Sequence, residues 1–289
     1  MPPARTAGAS AALFRRTLAG AKPTDACRAL MIDAADILQR MRALEQRLVD
    51  VCGRQDNNMR IGAGGIAADT CVLSAAAAMI GACPAVRVHL AAMNWINVLK
   101  EVRERQVELG ILELTELGKD TADLVIEPLL RHQGFFAIRA GHSLAGRDRV
   151  TLTEILSFPF VFLENVPTRI IGPMAAAREA ARANGPIHAT FPAMVHENPI
   201  AALQVTMQSD AVVAVTAPIA ATALRGGGII ILPWHEPWLM TNFGVVQVRG
   251  RRVSAGAAGF IGLLREADRN AFSLGQEVMA QIRSAGACG

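Results

Sequence analysis

Apolar residues recur every three or four positions along residues 30–51, and this pattern predicts a long amphipathic helix. The spacing alternates strictly between four and three, as in three consecutive heptads, at Leu30, Ala34, Ile37, Met41, Leu44, Leu48 and Val51. A seam this narrow is typical of two helices that pack against each other, so the pattern favours a dimer formed through this helix. The alternative, an amphipathic helix packed on its own domain, has the same spacing and stays open.

From Arg60 onward, short apolar runs alternate with helical patterns, which predicts an α/β body with parallel sheets and helices on both faces. Turns near residues 140–150 and 233–242 divide this body into two Rossmann-like lobes. The predicted ranges are 59–140 and 240–272 for lobe I and 141–239 for lobe II. Further predictions are strands at 123–129, 135–139 and 189–195 and a last helix that ends near residue 271. Ligands of such folds bind beyond the carboxyl ends of the strands, in the cleft between lobes.

The composition is that of a well-packed globular protein. Of the 289 residues, 52% are hydrophobic and 19% are charged, which excludes a largely disordered chain. The longest apolar runs are interrupted by Gly, Pro or charged residues, so we expect no bilayer-spanning segment. The first residues, Met1–Thr6, lack the apolar core of a secretion signal. We therefore predict a cytoplasmic protein that has no membrane partner.

The net charge of +4 is concentrated at the N-terminus. Residues 1–60 contain ten Lys/Arg and six Asp/Glu, whereas residues 61–289 contain nineteen of each. A polyanion would therefore be bound by the N-terminal piece, although an ordinary helix can also carry four excess charges.

A glycine-rich turn, Gly62–Ala67, lies between a predicted strand and a predicted helix, as in dinucleotide-binding proteins. The next strand, Val86–Leu90, is followed by Ala91, Ala92, Met93 and Asn94, so the acidic residue that would hold the ribose is missing. We expect no dinucleotide and no other cofactor. The backbone amides of the turn remain suited to a carboxylate or another small anion.

The residues that most often carry catalysis or bind metals form no assembled centre in the sequence. The five cysteines contain no Cys-x-x-Cys pair, and the six histidines form no i, i+4 pair on a predicted helix. Buried thiols are the expected state, with a redox switch between Cys71 and Cys83 as the alternative. We therefore expect no metal site and no enzymatic activity.

Several short segments, in this order, resemble the LysR-type transcriptional regulators. Leu13–Thr17 is similar to the Leu-Phe-x-Arg-Thr of that family's DNA-binding wing, and Lys22–Ala26 is similar to the step from the wing to the linker helix. Glu108–Ile111 and Glu127–Leu129 are similar to landmarks of the effector domain. Phe136–Ala145 is similar to its His-Pro-Leu-Ala turn, with Ser143 in place of proline. The resemblance covers the chain from about residue 13 onward.

The resemblance implies a periplasmic-binding-protein-like effector domain of two lobes, preceded by a long dimerisation helix. It divides the chain into a winged helix-turn-helix remnant at 1–23, a linker helix at 24–58 and an effector-binding domain at 59–289. Because the sequence begins inside the wing, the recognition helix that reads the major groove is missing. We therefore expect this chain not to bind an operator specifically.

The resemblance also implies three sets of site residues. The effector would contact Gly64, Gly65, Ile66, Asn94, Trp95, Pro167, Thr168, His196 and Asn198. The DNA backbone would be contacted by Arg15, Arg16, Thr17 and Lys22. A dimer, or a tetramer built from dimers, would form through Leu30, Ile37, Met41, Leu44 and Leu48. Trp95 stands where the family has a small hydroxyl side chain, which favours an aromatic or flat effector or simply fills the cleft.

These observations predict a LysR-type DNA-binding regulator, truncated at its N-terminus, that senses a small anionic or aromatic effector between two lobes. The full-length form would bind DNA. The alternative is a free-standing small-molecule-binding protein without DNA-binding activity, which shares the two-lobed cleft. An enzyme on this fold is a third possibility, against which the missing ribose acid and the missing nucleophile–base pair both speak.

Overall fold

A computed structural model describes most of the chain. The described residues are 13–17, 20–31, 33–34, 37, 58–118, 120–163, 166–183, 187 and 190–287. They belong to two compact units, Met1–Gln55 and Asp56–Gly289.

The N-terminal unit begins with a β-hairpin and continues into a helix. Strands β1 (Phe14–Thr17) and β2 (Gly20–Pro23) pair antiparallel. Helix α1 covers residues 25–31 and begins at Thr24, whose hydroxyl accepts a hydrogen bond of 3.2 Å from the Cys27 amide. This confirms the predicted helix start, because a capping hydroxyl satisfies an amide that has no partner within the helix.

The predicted dimerisation helix lies only partly within the described residues. Leu30 and Ile37 are helical, and 51% and 59% of their surfaces are exposed. Met41, Leu44 and Leu48 lie outside the described residues. Dimerisation through this helix stays a prediction.

The second unit is an α/β body. Its strands are β3 (Asn58–Gly64), β4 (Arg87–Met93), β5 (Leu109–Glu113), β6 (Leu124–Arg139), β7 (Phe160–Leu163), β8 (Met194–His196), β9 (Val212–Thr216), β10 (Ile229–Ile231) and β11 (Met240–Val248). Its helices are α2 (Gly65–Ala67), which continues through a π-helical segment (Ala68–Val72) into α3 (Leu73–Ala82), then α4 (Trp95–Arg103), α5 (Leu152–Ile155), α6 (Thr168–Ala183), α7 (Pro199–Met207), α8 (Ala217–Arg225) and α9 (Ala255–Ala287). The strand order is β4-β3-β5-β11-β6-β9-β7-β8, with β10 also paired to β6.

The sheet is mixed, and not purely parallel as the sequence predicted. Strand β3 runs parallel to β4 and β5, and β7 runs parallel to β8 and β9. Strand β11 is antiparallel to both β5 and β6, and β6 is antiparallel to β9. Strands β6 and β11 lie at the middle of the sheet, where the chain crosses from one lobe to the other and returns, so their direction opposes that of their neighbours.

Strand β6 is one continuous strand of 16 residues, where the sequence predicted two short strands at 123–129 and 135–139. Its partner changes from β11 to β9 between Gln133 and Gly134. We define the first lobe by β3–β5, β11 and residues 124–133 of β6, and the second lobe by residues 134–139 of β6 and β7–β10. The change of partner lies several residues before the predicted lobe boundary at 140–141.

Two further elements differ from the predicted ones, and burial explains the second difference. Strand β8 covers only Met194–His196, although the sequence predicted a strand at 189–195. Helix α9 continues to Ala287, well beyond the predicted end near residue 271. Its later part buries Val278 and Met279 against Phe135 and Ala217, and this packing stabilises turns that sequence periodicity alone does not reveal.

One helix has the length and composition of a membrane span, although the sequence predicted none. It covers Gly65–Ala82, and 44% of it is buried within the protein. Its buried residues Ala67, Cys71, Ala75 and Met79 pack in the core of the first lobe. Such burial is what a core helix of a globular domain requires, so this helix is weak support for a membrane span.

Candidate functional site

A cavity of about 110 Å³ lies between the two lobes. It is bounded by the carboxyl end of β3, the starts of α4 and α6, and the middle of the sheet, where β6, β9 and β11 meet. Its described walls are Gly64, Gly65, Ile66, Ala67, Met93, Asn94, Trp95, Glu113, Gly134, Val161, Phe162, Leu163, Val166, Pro167, Ile170, Met174, Glu197, Ala214, Val215, Thr216, Leu239, Met240, Thr241 and Phe243. Most of these residues are apolar.

Six of the nine predicted effector-binding residues line this cavity: Gly64, Gly65, Ile66, Asn94, Trp95 and Pro167. Asn94 also caps α4, since its side-chain oxygen accepts a hydrogen bond of 2.9 Å from the Asn97 amide. Trp95 follows directly and places its indole in the cavity wall. The structure thus brings residues from both lobes together, as expected from strands whose carboxyl ends meet at one edge.

The other three predicted residues are not among the described lining residues. Asn198 caps α7 by accepting a hydrogen bond of 2.9 Å from the Ala201 amide. His196 accepts one of 2.9 Å at Nδ1 from the Asn198 amide. Thr168 begins α6, and its backbone amide points to a carboxylate of the first lobe. Local turn and helix-end geometry therefore accounts for all three.

Gly65 is a glycine because a backbone of the second lobe comes very close to it. A Cβ atom built there would lie 2.8 Å from the carbonyl oxygen of Glu197. This is closer than real Cβ atoms come, so a larger residue would push the lobes apart. The sequence predicted that this turn binds an anion. The Glu197 carbonyl oxygen beside it carries a partial negative charge, however, and so disfavours an anion on that side of Gly65.

A buried carboxylate at the end of β5, which the sequence analysis missed, organises one wall of the cavity. Glu113 is 9% exposed, and its Oε2 accepts a hydrogen bond of 2.9 Å from the Asn242 amide. Its Oε1 accepts hydrogen bonds from the Thr115 amide and hydroxyl. The same Oε1 lies 3.3 Å from Nη2 of Arg169, across the cleft.

Arg169 lies in the first turn of α6 and joins the two lobes. Besides the ion pair with Glu113, its Nε donates a hydrogen bond of 3.3 Å to the Thr115 hydroxyl. Its Nη1 donates one of 3.1 Å to the carbonyl oxygen of Trp238. Beside it, the Thr168 amide donates one of 3.1 Å to Glu116 of the first lobe. We call Glu113, Thr115, Glu116, Thr168 and Arg169 the interlobe clasp.

Burial and local hydrogen bonds account for Cys71, Cys83 and His142, which lie within the described part of the chain. Burial, and secondarily the charge of Asp268, raises the pKa of the Cys71 thiol, which opposes formation of the reactive thiolate. Cys83 directly follows the last residue of the same continuous helix, twelve residues beyond Cys71, about 18 Å away by helical rise and beyond disulfide reach. His142 is buried with a pKa lowered by burial, and its Nδ1 accepts a hydrogen bond from the Leu144 amide. Among the residues that the structure describes, no group of three or more His, Cys, Asp or Glu is placed to hold a metal ion.

Comparison with known proteins identifies the family of this chain. The family model of the LysR substrate binding domain matches residues 53–269, which is three quarters of the chain. The chain belongs to the LysR family. The two-lobed mixed sheet is accordingly the periplasmic-binding-protein-like effector domain that the sequence resemblance implied.

A relative and several solved structures agree with this LysR assignment. The SDS degradation transcriptional activation protein of Pseudomonas sp. (strain ATCC 19151) is 25% identical over 246 residues, which cover 83% of this chain and 77% of that protein. An OxyR mutant from Corynebacterium glutamicum, bound to H2O2, is similar in structure with a TM-score of 0.56 and 15% identity, over 92% of this chain and 83% of its own. The LysR-family regulator HinK from Pseudomonas aeruginosa has a TM-score of 0.56 and 18% identity, over 84% and 80% of the two chains. At these identities the structural matches show the fold alone.

Proposed function

We propose that this LysR-family protein is a transcriptional regulator whose activity is set by a small effector bound in the cavity between the lobes. The observation that carries the proposal is the cavity itself, because both lobes contribute to its wall. A molecule held there contacts residues of each lobe, and it stabilises whichever lobe arrangement it fits better. Regulation then follows from a shift between two arrangements with different effector affinity.

The proposal includes DNA as a partner. The β1–β2 hairpin has the antiparallel form of a wing, and β1 and β2 contain Arg15, Arg16, Thr17 and Lys22. Such residues contact phosphates and position a protein on the duplex without reading its sequence. A cytoplasmic location follows from this function. The name of the Pseudomonas relative, a transcriptional activation protein, supports regulation in place of catalysis.

The effector site is tested by filling the cavity. Replacing Ala214 with tryptophan places a large side chain on β9 at the cavity wall. We expect a screen of small molecules by thermal shift to find compounds that raise the melting temperature of the wild-type protein, since a ligand that binds the native state stabilises it. The same compounds should leave Ala214→Trp unchanged. Equal stabilisation of both proteins would show that the compounds bind elsewhere and would contradict the proposed site.

The dimer is tested at the linker helix. We expect Leu44→Asp combined with Leu48→Asp to reduce the mass in sedimentation velocity from a dimer, or a tetramer, to a monomer. The two new carboxylates on each helix would have to lose their hydration without a partner charge. A suitable control is the double change to Ile, which keeps the seam apolar and should keep the wild-type mass. An unchanged mass in the Asp variant would contradict dimerisation through this helix.

A further inference from the structure

We infer that the effector is an uncharged, mainly apolar molecule of roughly seven to eleven non-hydrogen atoms, and not a carboxylate or another anion. This inference rests on the proposed function, since it names the class of molecule that the same cavity takes. The size follows from the cavity volume of 110 Å³, given that about 10–15 Å³ accommodates one group the size of water.

The described walls of the cavity offer little positive charge to an anion. Among the described lining residues, those of a charged type are Glu113 and Glu197, and both are acidic: Glu113 presents a buried carboxylate, and Glu197 brings its backbone carbonyl oxygen close to Gly65. The broad surfaces are provided by Trp95, Phe162 and Met174, with aliphatic side chains between them. An anion placed here would lose its hydration and meet like charge, whereas an apolar molecule gains from leaving water.

The groups that bind anions in such clefts are present, but the protein's own carboxylates already occupy them. Each of the three side-chain nitrogens of Arg169 donates a hydrogen bond within the protein. Nε donates to the Thr115 hydroxyl, Nη1 to the Trp238 carbonyl oxygen and Nη2 to the Glu113 carboxylate. The amide of Thr168, in the first turn of α6, donates to Glu116. The positive charge and the helix end that would attract a carboxylate ligand are thus satisfied from within the molecule.

Displacement of these contacts by an acidic ligand is costly because Glu113 is buried. A ligand carboxylate that took Arg169 would leave the Glu113 carboxylate without its cationic partner, and breaking one side of such a pair is strongly unfavourable. A neutral ligand leaves the interlobe clasp intact and fills the space beside it. Glu113 is therefore a specificity-determining residue that selects against anions.

Two probes of equal chain length separate charge from apolar contact. We would titrate the full chain with 1-octanol and with sodium octanoate at pH 7.5, following the heat of binding and the intrinsic tryptophan fluorescence of the protein. Wild-type protein should bind octanol at least tenfold more tightly than octanoate. Glu113→Gln keeps the shape of the side chain and removes its charge, so Arg169 becomes available and the preference should fall below threefold. Glu179→Gln, on the exposed outer part of α6, should retain the wild-type preference.

The Ala214→Trp variant separates failure of this inference from failure of the proposed function. Octanoate that binds as tightly as octanol to the wild type, and not to Ala214→Trp, would overturn the neutral class and leave the effector site in place. Octanol that binds wild type and Ala214→Trp equally would overturn both. If octanol does not bind the wild type, the inference of an uncharged, apolar effector is wrong. The small-molecule screen then still tests whether the cavity is an effector site. If Glu113→Gln does not fold, the wild-type comparison of the two probes alone decides the inference.

Discussion

Replacing Asp268 with alanine is expected to lower the free energy of unfolding by about 2–6 kcal/mol, since this change leaves two buried hydrogen-bonding groups without their partner, at about 1–3 kcal/mol each. The Asp268 side chain is 4% exposed, and its Oδ1 lies 2.7 Å from Nε2 of His132. Its Oδ2 accepts a hydrogen bond of 2.9 Å from the Leu130 amide. The variant leaves a buried imidazole and a backbone amide without their acceptor. Urea unfolding followed by circular dichroism measures the loss.

Two comparison variants separate the buried pair from a general effect of removing a charge. Asp268→Asn keeps the size and one acceptor oxygen, and it should lose less stability than Asp268→Ala. Asp210→Ala removes a half-exposed carboxylate that pairs with Arg139, and it should cost at most about 1 kcal/mol. A loss below 1 kcal/mol for Asp268→Ala would show that the contact between β6 and α9 does not depend on this pair.

Replacing Phe136 with alanine is expected to cost about 3–5 kcal/mol through loss of packing in the second lobe. The ring is fully buried on β6 and lies 5.6 Å, centroid to centroid, from Phe160 in an edge-to-face arrangement. Its centroid is 4.8 Å from that of Trp234. Removal of the ring leaves a cavity that these large, well-packed neighbours cannot easily fill. The same unfolding assay measures the effect.

The matched controls are Phe136→Leu and Val195→Ala. Leucine keeps most of the apolar volume, so its cost should be clearly smaller than that of alanine. Val195 is 55% exposed on β8, and its truncation should stay within about 0.5 kcal/mol. A loss for Phe136→Ala no greater than that for Phe136→Leu would contradict the packing argument.

Features set by neighbouring residues could be predicted from the sequence. Thr24 and Asn198 cap helices by accepting hydrogen bonds from amides only three residues away, so such contacts depend on the local sequence alone. The turn at Gly64 and Gly65 was predicted from adjacent residues, and it lines the cavity.

Features that depend on distant partners could not be predicted in this way. The polar run Arg131–Gln133 separated the two strands predicted for β6, yet His132 is buried there because Asp268, far along the chain, pairs with it. Glu113 and Arg169 lie in different lobes and meet only after the chain has crossed between them. Each side chain alone resembles an ordinary surface charge, so the interlobe clasp leaves no local signal in the sequence.

The continuity of β6 has a mechanical consequence for any movement of the lobes. The strand belongs to both lobes, and α9 also packs on both, with Phe260 and Leu264 in the first lobe and Val278 and Met279 beside Phe135. No flexible linker therefore joins the lobes at β6 or α9. A change in the separation of the lobes must bend the hydrogen-bonded strand β6 together with the long helix α9. We therefore expect ligand binding in the cavity to change the separation of the lobes only by amounts that the stiffness of β6 and α9 allows.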